Sequence, residues 1–145
     1  MTFLQAQILQ WVEFCDSTIR PTICAALHVY LGMPVANGCT LSKDIVHLHE
    51  NSLQKELVFL NKVFLRDTFL VGERLSLADI TLFSLLLPAY LYILDPVKQE
   101  TYINLTRWFN TVSKYCSFFI DKVFMVYTNF VIAIVSPGTA STRGY

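Results

Sequence analysis

The side chains able to do chemistry are a few thiols and imidazoles, and one aspartate placed where an apolar segment begins. The cysteines are Cys15, Cys24, Cys39 and Cys116. No two have CxxC spacing and none falls in a Cys/His cluster, so neither zinc ligation nor dithiol redox chemistry is indicated. They read as small apolar core residues of a reducing compartment. His47 and His49 lie two residues apart, and side chains so spaced on a helix do not converge on one ion. No catalytic residue, cofactor site or metal ligand is predicted.

Asp79 is different. It sits in "FLVGERLSLADITLF", after a Gly and at the head of a long apolar run. Ser76-x-x-Asp79 has the spacing of a helix capping box. Ser76 occupies the N-cap and its hydroxyl can accept from the N3 N–H. Asp79 at N3 can reach back to the N–H of Ser76. Leu75 at N′ and Ile80 at N4 have the spacing of a hydrophobic staple. The carboxylate also meets the positive end of the helix dipole. Asp79 is therefore predicted to be a structural latch rather than a catalytic acid.

The elements that hold these residues follow from periodicity. From Phe3 to Ile19, apolar Leu4, Ile8, Trp11, Cys15 and Ile19 recur every three or four residues, predicting a helix. Pro21 then kinks it or starts the next turn, and "PTICAALHVYLGMP" reads as a second helical piece. "GMPVANG" is a loop. From Ser42 to Arg66, Val46, His49, Leu53, Leu57, Leu60 and Phe64 form one stripe, an amphipathic helix packed on a neighbour. "LADITLFSLLLPAYLYIL" is apolar almost all round, which predicts a central helix covered on most faces. Its internal Pro88, its capping latch and its amphipathic neighbours argue against a membrane span. Asp95-Pro96 has the N-cap/N1 pattern of a new helix. "YINLTRWFNTVSKY" continues it, with Leu105, Trp108, Phe109 and Val112 inward and Arg107 and Lys114 elsewhere.

Composition bounds the rest. The 145 residues are 54% hydrophobic and 15% charged, with 11 basic and 11 acidic side chains. No basic stripe marks a nucleic-acid surface. The N-terminal "MTFLQAQILQWVEF" lacks a basic region and a small-residue cleavage site, so it does not read as a secretory signal. Asn104-Leu105-Thr106 has the form of a glycosylation sequon but lies in a predicted helix. The expected organisation is an all-α domain of about five helices over residues 1–118, with one central and buried. An apolar segment of unassigned fold follows over 119–135, then a disordered tail over 136–145.

"FLVGERLSLADITLFSLLLPAYLYILDPVKQETYINLTRWFNTVSKY", with "QWVEFCDSTIRPTICAALHVYLG" upstream, resembles the C-terminal helical domain of the glutathione transferase superfamily, over about Ile8 to Phe118. The Ser76/Asp79 box is that superfamily's capping motif at its central helix. With "LLLP", "LDP" and "NLTRWF", the resemblance narrows to the transferase-like domains of the translation machinery. It looks closest to the N-terminal appendix of valyl-tRNA synthetase, with the gamma subunit of eukaryotic elongation factor one next. The terminal "VFMVYTNFVIAIV" does not resemble the family's ending. The resemblance implies a helical bundle with no thioredoxin-like domain, the part that would hold glutathione and the thiol-activating residue. Cys15 and Tyr90 would lie near the electrophile wall, but no neighbouring residue marks either as reactive.

The resemblance further implies a non-catalytic, cytoplasmic assembly domain. Its partners would be elongation factor one subunits, aminoacyl-tRNA synthetases or other transferase-like domains, met through the "RWF" helix, with Arg107 as the candidate interface residue. The alternative is a glutathione transferase or a fragment of one. With so few charges to cover its surface, the isolated chain is expected to self-associate or to require a partner. In size-exclusion chromatography it should elute well above its 16.6 kDa mass; a sharp, highly soluble monomer peak would contradict this.

Overall fold

A computed structural model describes residues 2–32 and 42–117. The expectations for most of the "GMPVANG" loop, for Cys39, and for segments 119–135 and 136–145 lie outside the described residues. Within them the chain is helical, with no strand.

The first rod is one helix in three parts: α1 (Phe3–Phe14), a π-helical turn (Cys15–Ile19) and α2 (Arg20–Tyr30). Thr2 caps it, with Gln5 at N3 returning the bond: Thr2 N–H donates to Gln5 Oε1 at 2.9 Å and Gln5 N–H to Thr2 Oγ1 at 3.3 Å. Pro21 does not break the rod. Proline lacks an N–H and its ring crowds the carbonyl four residues back. The chain widens just upstream instead, and Arg20 N–H bonds the Cys15 carbonyl, five residues back. That extra residue per turn also brings Cys15 and Ile19 into the core.

Helix α3 (Lys43–Val63) starts at the Ser42 cap, whose hydroxyl accepts from Asp44 N–H. Its stripe is laid out as the spacing predicts. Leu53, Leu57, Leu60 and Phe64 are buried, and Val46 and His49 at the N-terminal end are half-buried. Gly72 in the following loop has φ +69, left-handed backbone that costs glycine little. It turns the chain after Phe69, Leu70 and Val71 have entered the core.

Helix α4 (Leu77–Tyr92) is the centre. Ala78, Leu82, Phe83, Leu86 and Ala89 are nearly inaccessible, and Pro88 is tolerated inside it. α1 and α2 both pack on α4, and α2 also packs on α3. Helix α5 (Pro96–Thr101) opens at Asp95, whose carboxylate accepts from Lys98 N–H at 2.8 Å. The predicted uninterrupted helix is broken at Tyr102 (φ −108, ψ 54), and α6 then runs over 103–117. Thr106 Oγ1 donates to the Gln99 carbonyl across this break at 2.9 Å, satisfying one orphaned acceptor.

Aromatic stacking joins α6 to the rest. Phe64 stacks on Trp108 at 4.5 Å and 19°, and Tyr90 on Phe109 at 3.9 Å and 5°. Such pairs contribute about 0.5–1.5 kcal/mol each beyond their burial. Among the described residues, no helix is long and apolar enough to cross a membrane.

Burial keeps two acids neutral. It pushes the Cys15 thiol from 9.0 up to about 12, with Asp16 adding to the effect. It also pushes the Tyr90 phenol up to about 12, against a smaller opposing effect of its hydrogen bond to Thr106. Above the thiol's unfolded pKa the unfolded chain gives up its proton while the folded chain keeps it. The folded state then binds more protons, and stability falls as pH rises. Urea unfolding should be unaffected by Cys15 titration below about pH 8. Between about pH 9 and 10.5 it should show a loss on the order of 1–2 kcal/mol that Cys15→Ala removes; equal slopes for the two proteins would refute the assignment.

Candidate functional site

Asp79 is fully buried and is the only charged residue in the core of the described chain. Its Oδ1 accepts from Leu70 N–H at 3.0 Å and from Trp108 Nε1–H at 3.0 Å. Oδ2 accepts from Ser76 N–H at 3.0 Å and from Ser76 Oγ–H at 2.7 Å. Ser76 Oγ stands over the Asp79 N–H in the capping-box arrangement, but its own proton goes to the carboxylate. Among the described residues no cation pairs with Asp79. The carboxylate is held by dipoles alone, and these come from the α3–α4 loop, the start of α4 and the middle of α6.

Leu75 packs against the core, whereas Ile80 stays 41% exposed. The bonds from Leu70 and Trp108 had no signal in sequence, because the partners lie 9 and 29 residues away.

Arg107 is exposed, but its Nη2 donates to the Phe64 carbonyl at 2.6 Å, at the C-terminal end of α3. Asn61, in the last turn of α3, returns the service. Its Oδ1 accepts from Asn104 N–H at 3.0 Å and Leu105 N–H at 3.1 Å, capping α6 from another helix. Two helix ends therefore cap one another. Sequence reasoning missed Asn61, since a cap supplied 43 residues away leaves no local pattern.

Arg107 shares the outward face of α6 with Ile103, Asn110 and Lys114, all exposed. A second apolar surface lies on α1, which contributes no buried residue; Phe3, Leu4 and Leu9 are 77%, 55% and 53% exposed. Of the apolar series that predicts this helix, Cys15 and Ile19 are buried while Leu4 at the N-terminal end is exposed.

The reactive-type side chains are not brought together. Tyr90 is sandwiched in the core with its hydroxyl 3.2 Å from Thr106 Oγ1. Cys15 and Cys116 are buried free thiols, and burial raises both pKa values. Among the described residues, no three His, Cys, Asp or Glu side chains gather as a metal site.

Residues 19–114 match the family described as glutathione S-transferase, C-terminal domain, and the chain belongs to that family. Its relatives narrow the branch. The chain is 40% identical over 111 residues to elongation factor 1-gamma of Drosophila melanogaster, covering 76% of this chain and 24% of that protein. It is 41% identical over 106 residues to elongation factor 1-gamma of Danio rerio, covering 73% and 23%. It is 34% identical over 107 residues to the valine–tRNA ligase of Takifugu rubripes, covering 74% and 8%. The chain thus spans about a quarter or less of these relatives.

Truncating Asp79 strands four buried or half-buried donors. Asp79→Ala should cost about 3–5 kcal/mol in urea unfolding of the full chain. Ser76→Ala should cost only about 1 kcal/mol, as for a simple N-cap. Equal losses from the two variants would show that Asp79 does no more than cap α4.

Proposed function

We propose that this chain is a non-catalytic protein-interaction domain of the translation machinery, cytoplasmic, which scaffolds elongation or aminoacylation complexes. The observation that carries the reading is that elongation factor 1-gamma and valine–tRNA ligase relatives each align with about three quarters of this chain. The organisation fits it. The polar groups of the core are spent on holding helices together, and apolar residues remain exposed on every helix, α1 and α6 among them. Partners of matching chemistry are elongation factor one subunits, aminoacyl-tRNA synthetases and other transferase-like domains.

The proposed contact is the α6 face around Arg107. One guanidinium nitrogen is anchored on Phe64, which fixes the planar group in a defined orientation. The donors left over can make forked hydrogen bonds or stack across an interface. Ile103 at 68% and Tyr115 at 65% exposure add apolar area on the same helix.

The alternative, glutathione conjugation, would need a thiol-activating group. The candidates inside this chain, Cys15 and Tyr90, are buried and held neutral.

Tagged full-length chain, incubated in a lysate rich in translation factors, should capture elongation factor one subunits or an aminoacyl-tRNA synthetase, identified by mass spectrometry. Arg107→Ala should reduce that capture several-fold while the chain stays folded by circular dichroism. Capture of neither class of protein would refute the proposal, and glutathione conjugation by the purified chain alone would establish the alternative.

A further inference from the structure

At one end of the bundle a cavity of about 580 Å3 opens between the C-terminal end of α2, the N-terminal half of α3 and the turn from α4 into α5. It is separate from both the Asp79 lock and the α6 face. Its size falls within the range of small-molecule pockets, about 300–1,000 Å3. The floor is aliphatic, made by Leu53, Leu57, Ile93 and Leu94. Space of this size left empty forfeits dispersion contacts all along its lining.

The rim carries His49, Glu50, Gln54, Lys98, Thr101 and Tyr102, which are not equivalent. Tyr102 is only 8% exposed and lines the cavity. Its hydroxyl has no hydrogen-bond partner among the described residues. No fully enclosed side-chain N or O atom there lacks a partner, so this hydroxyl must keep contact with solvent. Burial raises its pKa above 10.0, which keeps it a donor at neutral pH. Lys98 stands at the same rim and pairs with no carboxylate among the described residues. The one lining carboxylate, Glu50, lies 3.5 Å from His47 Nδ1 on the exposed side of α3.

We infer that this cavity binds a small amphipathic acid, its apolar body on Leu53, Leu57 and Ile93 and its carboxylate between the Lys98 ammonium and the Tyr102 hydroxyl. An acid is favoured over an amine because the Lys98 ammonium and the Tyr102 hydroxyl, both donors without a partner among the described residues, stand together on the α5 side of the cavity, whereas Glu50 stands alone on α3. An apolar body is required because the floor offers no polar group.

The test uses the full chain with two probes, naphthalene-2-carboxylate and the neutral 2-naphthalenemethanol, followed by isothermal titration calorimetry. The acid should bind about tenfold or more tighter than the alcohol. Lys98→Ala and Tyr102→Phe should each weaken the acid about five- to tenfold and leave the alcohol unchanged. Val29→Trp, which fills the α2 wall, should abolish binding of both, whereas Phe3→Ser on the exposed α1 face should change neither. Lys98 is exposed and Tyr102→Phe keeps the ring, so both variants should match the parent's thermal unfolding even if Val29→Trp does not fold. The inference is overturned if the folded parent binds no acid at a few millimolar, if acid and alcohol bind equally, or if Phe3→Ser removes the binding.

Discussion

A single buried carboxylate decides how this bundle goes together. Asp79 has no accessible surface, and an anion so placed is tolerable only if its lone pairs are answered. Four donors answer them, from Leu70, Ser76 and Trp108. The constraint runs both ways, because the indole N–H and the Leu70 N–H would be unpaired without it. The lock matters more because of the helix it begins. α4 is apolar on nearly every side, so hydrophobicity alone does not specify its rotation among its neighbours. A polar contact that can be made in only one orientation supplies that specificity.

The second constraint joins the end of α3 to the start of α6. Asn61 caps one and Arg107 the other, and Phe64, whose carbonyl Arg107 holds, stacks on Trp108, which also donates to Asp79. α6 is thus oriented by a chain of contacts running from its first turn to its middle. Its outward face is presented by a rigid support, as an interaction surface requires. Arg107 belongs to the support and is also the residue proposed for the interface. Its backbone contact explains how a long, flexible side chain can be held ready at low entropic cost.

These features are contacts that fix the shape of the bundle. Cys15, Cys116 and Tyr90 are packed in the core, and burial moves them away from ionisation. Exposed apolar side chains lie on every helix, Phe3 and Leu4 on α1 and Ile103 and Tyr115 on α6 among them. Membership of the transferase C-terminal family does not by itself supply chemistry, since function resides in sites rather than folds. The elongation factor and ligase relatives share this helical domain while differing greatly in total length, as expected of a module carried by larger proteins.

The sequence by itself determined what is local. The 3.6-residue stripes predicted α3 and the inward face of α6, Asp95-Pro96 opened α5, and Ser76-x-x-Asp79 marked the start of α4; helix periodicity and N-capping are read over three or four neighbouring residues. Tertiary structure decided whatever joins residues far apart in the chain. It brought Trp108 and Leu70 to Asp79 and Asn61 to the α6 N-terminus, and it gave Arg107 its carbonyl. It also absorbed Pro21 in a wider turn, broke the helix at Tyr102 and left Leu4 in water. The partners of Asp79, Asn61 and Arg107 lie outside any local window, and periodicity alone does not mark the wide turn at Pro21, the break at Tyr102 or the exposure of Leu4.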